Sequence, residues 1–332
     1  MTKNNFEVIS VDHPLGDYKE RFTRFECTKQ IKKISRLNIF GPLNLIIDFY
    51  LSLKFIAKHN FDIFIGANNF DTLAGIFSRF IFRKKIKKII YFASDYSENR
   101  FKNRLLNNIY YLVESISCKY SDLVISNTKR AEKKRLESGL VNNKSIVVPN
   151  GVLLKDVNFA NKLINKQTFI YIGSITKEHG LYEFINKVYP IMTKLVLIGE
   201  GEEWEKTVML CKNKGIKLEI YYKKSHDFCI DYLKKFKGIG LAPYNTSSMW
   251  TYYCSPLKIS EYIACGIPVL MSSVPEISEM VIEKSLGVVY SKLSLNDIRL
   301  SLNAFDESMF SHKAHKFYDT YNQNYLYERI KL

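Results

Sequence analysis

Two oppositely charged side chains, Lys258 and Glu261, stand three residues apart in residues 255–270, which read SPLKISEYIACGIPVL. If this segment forms a helix, the two side chains share one face of its first turns. A cation in a first turn opposes the helix dipole, which favours an anion at that end. A bound anion such as phosphate would remove this conflict, with the carboxylate one turn further on. The ordinary alternative is a solvent-exposed Lys–Glu pair.

Capping residues predict where this helix begins and ends. Ser255 can cap its N-terminus, and Pro256 suits the first helical position, where a missing N–H costs nothing. Gly266 suits the left-handed residue that ends a helix, and Pro268 prevents its continuation. The apolar residues 267–271 then predict a buried strand.

Length and composition limit the class of protein. The 332 residues exceed what one ordinary core holds, so two domains are expected. A hydrophobic content of 46% favours a globular α/β protein over a disordered chain. The six cysteines show no C-x-x-C spacing, which favours buried free thiols in a reducing compartment. No run of about 18 uncharged apolar residues occurs, so no transmembrane helix is predicted.

Positive charge is concentrated in the first half of the chain. Residues 1–150 carry 26 Lys and Arg against 14 Asp and Glu, whereas the remainder carries 23 against 19. Residues 79–88, RFIFRKKIKK, mix cations with large apolar side chains, which suits an anionic membrane surface. No zinc-finger, RNA-motif or helix-turn-helix pattern is present, so nucleic acid is not expected as a partner. The alternative is an ordinary solvated basic face.

Apolar strand patterns alternate with helical patterns along both halves of the chain. We predict strands at residues 6–11, 61–65, 89–93, 123–126, 146–148, 168–172, 194–198, 217–222, 238–243, 267–271 and 286–290. Such alternation predicts parallel sheets covered by helices on both faces. The segment Pro149-Asn150-Gly151 interrupts the pattern. Two Rossmann-like domains are therefore predicted, 1–155 and 156–310, followed by a C-terminal helix in 311–332 that crosses back onto the first domain.

Polar residues follow the carboxyl ends of the predicted strands, where ligands bind in such sheets. Asn68, Asn69 and Asp95 follow strands of the first domain, and Gly173-Ser174 follows the first strand of the second. Asp95 suits either a catalytic role or the cap of the next turn. Residues 199–204, GEGEEW, do not predict dinucleotide binding, because tryptophan replaces the third glycine and three glutamates would repel a pyrophosphate.

The motif P-x-K-x-x-E-Y-x-A-x-G-x-P-V in residues 256–269, the Gly173-Ser174 turn and the Pro-Asn-Gly link together resemble GT-B glycosyltransferases. Within that fold the motifs are most similar to the large retaining family 4 (group 1) of bacterial polysaccharide biosynthesis. The resemblance implies an α/β GT-B fold whose first domain binds the acceptor and whose second domain binds the nucleotide sugar. It also implies that Glu261 holds the ribose hydroxyls and that the turn at Gly173 approaches the diphosphate.

Several positions depart from the family pattern. Tyr253 stands where many members carry the first Glu of Glu-x7-Glu, which contacts the donor sugar. Ser174 and His179 stand where many members place Arg and Lys on the diphosphate, so Lys258 is expected to supply the cation. The chain begins at what corresponds to the family's second strand, so the N-terminal domain is expected to lack its first strand.

The residues and the resemblance together define a candidate site. The expected catalytic residues are Asp95 and Lys258. The residues expected to bind the nucleotide sugar are Gly173, Ser174, Tyr253, Ser255, Pro256, Lys258 and Glu261. No cluster of Asp, His and Cys with metal-ligand spacing is evident in the sequence, so no metal or cofactor is expected beside the donor substrate.

The expected function is transfer of a sugar from a nucleotide-diphosphate sugar to a saccharide or lipid-linked acceptor in surface polysaccharide synthesis. The expected enzyme type is a hexosyltransferase of the retaining type. Retention or inversion stays open, since Asp95 could accept the acceptor's proton in an inverting reaction. The expected location is cytoplasmic, peripheral on the inner face of the plasma membrane, with the basic first domain on the lipid. Two alternatives are a catalytically weak or inactive nucleotide-sugar-binding subunit and a non-hydrolysing sugar-nucleotide epimerase.

Overall fold

The computed structural model of the protein describes residues 7–13, 20–27, 30–37, 41–83, 85–101, 103–140, 144–154, 163–306, 309–328 and 330. The chain divides into two compact units. Unit 1 takes its residues from 1–94, 99–125 and 135–146, and unit 2 from 95–98, 126–134 and 147–332.

The first half of the chain contains a four-stranded parallel sheet in the order β4–β5–β6–β7. Its elements and those that precede it are β1 Ile9–Asp12, β2 Glu20–Cys27, β3 Gln30–Leu37, α1 Gly41–Ile56, β4 Ile63–Gly66, α2 Asn69–Phe80, β5 Lys88–Ala93, α3 Arg104–Tyr120, β6 Leu123–Ser126, α4 Lys129–Glu137 and β7 Ser145–Val147. Ile89 and Ile90 are both fully buried, although neighbouring strand residues point to opposite faces. Helices therefore cover both faces of this sheet, as the continuous apolar run predicted.

Side-chain caps set the start of two helices. Asn68 Oδ1 accepts a hydrogen bond from Asp71 N (2.9 Å) at the start of α2. Asn103 Oδ1 accepts from the backbone of Leu105 and Leu106 at the start of α3. Asn68 thus has a structural role at the end of β4, because it satisfies an N–H group that has no partner within the helix.

The predicted strand at 6–11 is β1, but its place in a parallel sheet was wrong. β1 pairs antiparallel with β2, and β2 pairs antiparallel with β3, so the three strands form a separate small sheet. The β2–β3 hairpin was not predicted. Ile31, Ile34 and Leu37 recur every three residues, a spacing closer to the helical than to the strand period. Among the described residues, the parallel sheet of this half begins with β4.

The second half contains a six-stranded parallel sheet in the order β10–β9–β8–β11–β12–β13. Its elements are β8 Thr168–Ser174, α5 Leu181–Val188, β9 Lys194–Glu200, α6 Trp204–Asn213, β10 Lys217–Tyr222, α7 His226–Lys235, β11 Ile239–Ala242, α8 Trp250–Tyr253, α9 Leu257–Ala264, β12 Val269–Ser272, α10 Ile277–Glu283, β13 Gly287–Tyr290, α11 Leu295–Ala304, α12 Phe310–Tyr321 and α13 Gln323–Glu328. Along β8, Phe169 packs into the core on one face and Ile170 into that on the other. The α/β class with two parallel sheets is confirmed.

The C-terminal region differs from the single helix that was predicted. α12 ends at Tyr321, and the extended backbone of the next residue, Asn322 (φ −63°, ψ 130°), separates it from α13. Asn322 forms an isolated parallel bridge with Val152, so the break serves a backbone contact within unit 2. In the parts of the chain described above, no helix is both long and apolar enough to cross a membrane.

Candidate functional site

The carboxyl end of the central strand β8 forms a bare backbone turn. Gly173 has φ +116°, a conformation that side chains disfavour, and Gly199 at the end of β9 has φ +155°. A Cβ on Gly199 would lie 2.0 Å from the Gly173 carbonyl oxygen, so the two strand ends can approach this closely only because residue 199 is glycine. The absence of side chains leaves room for a ligand to approach the backbone there.

α9 begins beside this turn, one residue later than predicted. Pro256 is the N-cap residue, with extended backbone (φ −70°, ψ 115°), and no side chain caps the helix. The predicted cap by Ser255 was wrong, because its side chain and carbonyl are engaged by Asn150. Asn150 N donates to Ser255 Oγ (3.3 Å), and Asn150 Nδ2 donates to the Ser255 carbonyl (2.8 Å). Gly266 has φ +72° after the last turn, as predicted.

Lys258, in the first turn of α9, directs its ammonium group at the glycine turn. A Cβ built on Gly173 would lie 3.2 Å from Lys258 Nζ. The Nζ atom is buried and has no hydrogen-bond partner among the described residues. It lies 4.1 Å from the ring centre of Tyr171 and 5.5 Å from that of Tyr244, which partly compensate its charge. Burial lowers the pKa of Lys258 from 10.5 to about 7.

His179, Tyr244 and Trp250 form an aromatic wall beside this ammonium group. The His179 ring lies 5.3 Å from the ring of Tyr244 and 5.6 Å from that of Trp250, between centres. Thr176 Oγ1 hydrogen-bonds His179 Nδ1 at 2.8 Å and fixes the imidazole. Burial, and then the nearby charge of Lys258, lower the pKa of His179 to about 3. The imidazole is therefore neutral at physiological pH, and Lys258 is the source of positive charge beside the wall.

Glu261 supplies a buried carboxylate one turn further along α9. Its Oε1 lies 2.6 Å from Nε2 of His226, the first residue of α7, whose own side chain is exposed. Glu261 also acts on Lys258, since its charge is one of the influences that favour the lysine cation. The carboxylate thus contacts an exposed imidazole and acts on the ammonium group electrostatically, and it can accept hydrogen bonds from hydroxyl groups of a ligand.

Asp95 is exposed and lies close enough to Cys254 to influence its thiol electrostatically, as does Lys258. Burial raises the pKa of that thiol to about 12, so it is neutral. The structure therefore places Asp95, in unit 2, in the neighbourhood of the loop that precedes α9.

Tyr253 makes its contacts elsewhere in unit 2. Its hydroxyl donates to Glu98 Oε1 (3.3 Å), its carbonyl accepts from Thr128 Oγ1 (3.0 Å), and its ring meets Tyr96 edge-on at 4.9 Å. Burial, and then the charge of Glu98, raise the pKa of Tyr253 to about 12. Its hydroxyl is thus a neutral donor that is already engaged by a carboxylate.

Four residues of the site were not predicted from sequence, and they are Tyr171, His226, Tyr244 and Trp250. The polar and aromatic composition of residues 244–254 was a signal for the wall. His226 begins a helix that is distant in sequence from Glu261, and no spacing rule joins the two. Among the residues described, no group of three or more His, Cys, Asp or Glu could hold a metal ion. The expectation that no metal or cofactor takes part stays a prediction.

Comparison with known structures defines the class of fold as GT-B. WaaB, described as a lipopolysaccharide outer core galactosyltransferase, is 17% identical, with 87% of this chain and 79% of that chain covered and a TM-score of 0.60. Anabaena HepE, solved with UDP-glucose, is 14% identical, with 89% and 84% covered and a TM-score of 0.65. A variant of S. aureus TarM, solved with fondaparinux, α-GlcNAc-glycerol and UDP, is 12% identical, with 98% and 76% covered and a TM-score of 0.61.

A family model described as "Glucosyltransferase 3-like, C-terminal domain" matches residues 169–325. This range includes the glycine turn, α9 and the aromatic wall. No curated protein shows a significant sequence match to the chain. The fold and the matched segment are thus both similar to those of glycosyltransferases, and the narrower resemblance to family 4 stays a prediction.

Proposed function

We propose that the chain is a glycosyltransferase that transfers a sugar from a nucleotide-diphosphate sugar to a saccharide or lipid-linked acceptor. The observation that carries the proposal is the buried ammonium group of Lys258, which faces a bare glycine turn without a hydrogen-bond partner among the described residues. A buried cation that is left uncompensated destabilises the protein, so such a group favours a site that an anion completes.

The diphosphate of the donor would take this place. Its oxygens would accept hydrogen bonds from Lys258 Nζ and approach the backbone at Gly173 and Ser174. Charge-assisted hydrogen bonds of this kind are about twice as strong as neutral ones. Breaking of the glycosidic bond places further negative charge on the departing diphosphate, so Lys258 would stabilise the transition state more than the ground state. The charge of the ligand would also return the pKa of Lys258 towards its ordinary value.

The ribose hydroxyl groups of the donor would donate hydrogen bonds to the carboxylate of Glu261. Two neighbouring hydroxyl groups can donate to one carboxylate, and burial strengthens such bonds. In the structure His226 Nε2 holds that position on Oε1. We therefore propose that the ribose shares the carboxylate with His226 or displaces it, which is feasible because the imidazole is exposed.

The solved proteins of similar fold motivate the rest of the proposal. WaaB is described as acting in the lipopolysaccharide outer core, and the TarM variant was solved with saccharides and UDP. We propose hexosyl transfer in surface polysaccharide synthesis by a retaining mechanism, with Asp95 as a proton acceptor only if the reaction inverts. Association with the anionic inner face of a membrane belongs to the same proposal.

Binding calorimetry with UDP, GDP and their sugars tests the donor site. Wild-type protein is expected to bind one of these nucleotides, and Glu261→Gln is expected to weaken binding about 10-fold or more, since a charged acceptor for two hydroxyls is lost. Glu205→Gln is a matched control, because Glu205 is an exposed carboxylate on α6. Equal affinities in wild type and Glu261→Gln would overturn the ribose assignment.

A second candidate function is a nucleotide-sugar-binding subunit without transferase activity. The observation in its favour is the engagement of Tyr253 by Glu98, at a position where the family resemblance leads us to expect a carboxylate that faces the sugar. The two functions differ in turnover. Release of free nucleoside diphosphate from a bound donor, with or without added acceptors, supports the transferase, whereas binding with no turnover against any acceptor supports the subunit.

A further inference from the structure

The turn after α2 exposes three consecutive large apolar side chains. Phe80, Ile81 and Phe82 are 55%, 58% and 54% exposed. Backbone hydrogen bonds from Ile81 and Phe82 to the Phe77 carbonyl hold the turn against the helix end. Ile86, four residues after Phe82, is buried against Ile76 and Ile89. The chain is therefore packed on unit 1 on both sides of the three exposed residues. Exposed apolar clusters of this size are uncommon unless they contact another molecule.

A second exposed apolar strip runs along α3. Leu105, Ile109, Leu112 and Tyr120 lie on one face of this helix and are all exposed, whereas Tyr110 and other residues of the opposite face are buried. The rings of Phe80 and Tyr120 meet edge-on at 5.9 Å between centres. This contact joins the end of α2 to the end of α3, so the exposed turn and the strip adjoin within unit 1.

Cations border both apolar features. Arg83 and Lys85 are exposed next to the turn, and Lys119 lies with Nζ 5.6 Å from the ring centre of Tyr120. The nearby carboxylate of Asp122 does not cancel this charge, because Arg79 Nη1 already neutralises it at 2.5 Å. The exposed cations Arg83, Lys85 and Lys119 therefore add positive charge to this surface.

An open cavity of about 390 Å³ lies between the two helix ends. Its walls carry three cations and one carboxylate, that of Asp122, which pairs with Arg79. The lining residues are Arg79, Phe80, Lys119, Tyr120, Ser121, Asp122 and Lys144. With three cations against one carboxylate, the lining has a net positive charge that suits the phosphate of a lipid headgroup. Its position beside Phe80 places such a headgroup next to the exposed apolar side chains.

We propose that this surface, formed by residues 79–83, Lys85, the exposed face of α3 and the cavity, docks on a bilayer of anionic phospholipid. Apolar and aromatic side chains would enter the boundary between headgroups and acyl chains, while the cations meet lipid phosphates. Free phosphate, or the phosphate backbone of a nucleic-acid duplex, would engage the cations but would leave Phe80, Ile81 and Phe82 in water. The combination of both chemistries favours lipid.

The inference deepens the proposed function, since it assigns membrane association to particular residues of the half expected to bind the acceptor. The docking itself does not depend on nucleotide binding. The two can fail separately, because Lys258→Met should bind vesicles normally, whereas variants of the docking surface should bind nucleotide normally.

Sedimentation with lipid vesicles tests the proposal on the full chain. Wild type is expected to bind vesicles of equal parts phosphatidylglycerol and phosphatidylcholine, and to bind pure phosphatidylcholine at least 10-fold more weakly. Added salt should weaken binding as it screens the surface charge. The triple variant Phe80→Ser, Ile81→Ser, Phe82→Ser should lose about fivefold in affinity per side chain. Arg83→Gln and Lys85→Gln should each lose about fivefold.

Matched controls come from equally exposed residues of unit 2. Ile282→Ser and Leu300→Ser remove apolar side chains of similar exposure and should leave vesicle binding unchanged. Circular dichroism and nucleotide affinity check that every variant is folded. Equal binding to both vesicle types, or wild-type binding by the triple variant, would overturn the proposal. Failure to bind lipid, with self-association that the triple variant abolishes, would also overturn it and identify a second copy as the occupant.

Discussion

Replacement of Lys258 by methionine should stabilise the empty protein and weaken its nucleotide binding. The side chain of Met has a similar length but no charge, so it suits the apolar surroundings formed by Tyr171 and Tyr244. The pKa of Lys258 is lowered from 10.5 to about 7, with burial as the largest cause. Between these two pH values the unfolded chain binds the proton more strongly than the native protein does. Wild-type stability must therefore rise with pH across this window.

The pKa shift sets the magnitude of the effect. The lowered pKa of Lys258 destabilises the native state by about 4 kcal/mol at pH 7 and by about 2 kcal/mol at pH 9. Lys258→Met lacks this contribution, so its stability advantage over wild type should shrink by about 2 kcal/mol between pH 7 and pH 9. Its loss of affinity for UDP or GDP should reach about 2–4 kcal/mol, the value of one preorganised donor to a phosphate.

Urea unfolding followed by tryptophan fluorescence measures this stability. Both tryptophans of the chain, Trp204 and Trp250, lie in unit 2, so their emission reports the unit that contains the site. Calorimetry with the nucleotide measures affinity on the same samples. The matched control is Lys212→Met, which changes an exposed lysine in the last turn of α6 and should alter neither quantity by more than about 0.5 kcal/mol.

Three results would refute the reasoning. If Lys258→Met is less stable than wild type at pH 7, the buried ammonium group is compensated in the native state and no anion is needed to complete the site. If the variant binds UDP or GDP as tightly as wild type does, the diphosphate does not contact Lys258. A stability difference between wild type and variant that does not change with pH would show that the lysine keeps its ordinary pKa.

Three further predictions concern the turn at Gly173, nucleotide binding without a metal ion, and the buried ion pair in unit 1. Gly173→Ala should weaken nucleotide binding and cost about 1–3 kcal/mol in stability because of its φ of +116°, whereas Gly215→Ala, at φ +70° in open space, should leave affinity unchanged. Calorimetry should give the same nucleotide affinity in the presence and in the absence of EDTA. If EDTA lowers the affinity and added Mg²⁺ restores it, this prediction is wrong. Arg135→Met should destabilise unit 1 by about 3–5 kcal/mol, since it leaves buried Glu114 without its ion pair (3.0 Å). Addition of Glu114→Gln should recover part of this loss in urea unfolding followed by circular dichroism, and further destabilisation would refute the pairing.

Local sequence signals were sufficient for much of the fold. Continuous apolar runs predicted the strands of both parallel sheets, because a strand buried on both faces excludes polar residues. Gly266 and Pro268 predicted the end of α9, since left-handed backbone and a missing N–H are properties of single residues. The β2–β3 hairpin was missed, because its apolar spacing does not follow the strand period and its register depends on pairing between strands.

The sequence by itself supplied the residues that we propose to bind a diphosphate sugar, namely a lysine, a carboxylate and a glycine turn in a family-like arrangement. Only the tertiary structure decided the charge of that site. Burial by Tyr171 and Tyr244, which are distant from Lys258 in the chain, lowers its pKa, and the same surroundings keep His179 neutral. The contact of His226 with Glu261 likewise arises from packing of two helices. Desolvation depends on everything that surrounds an atom, so no spacing along the chain could have shown it.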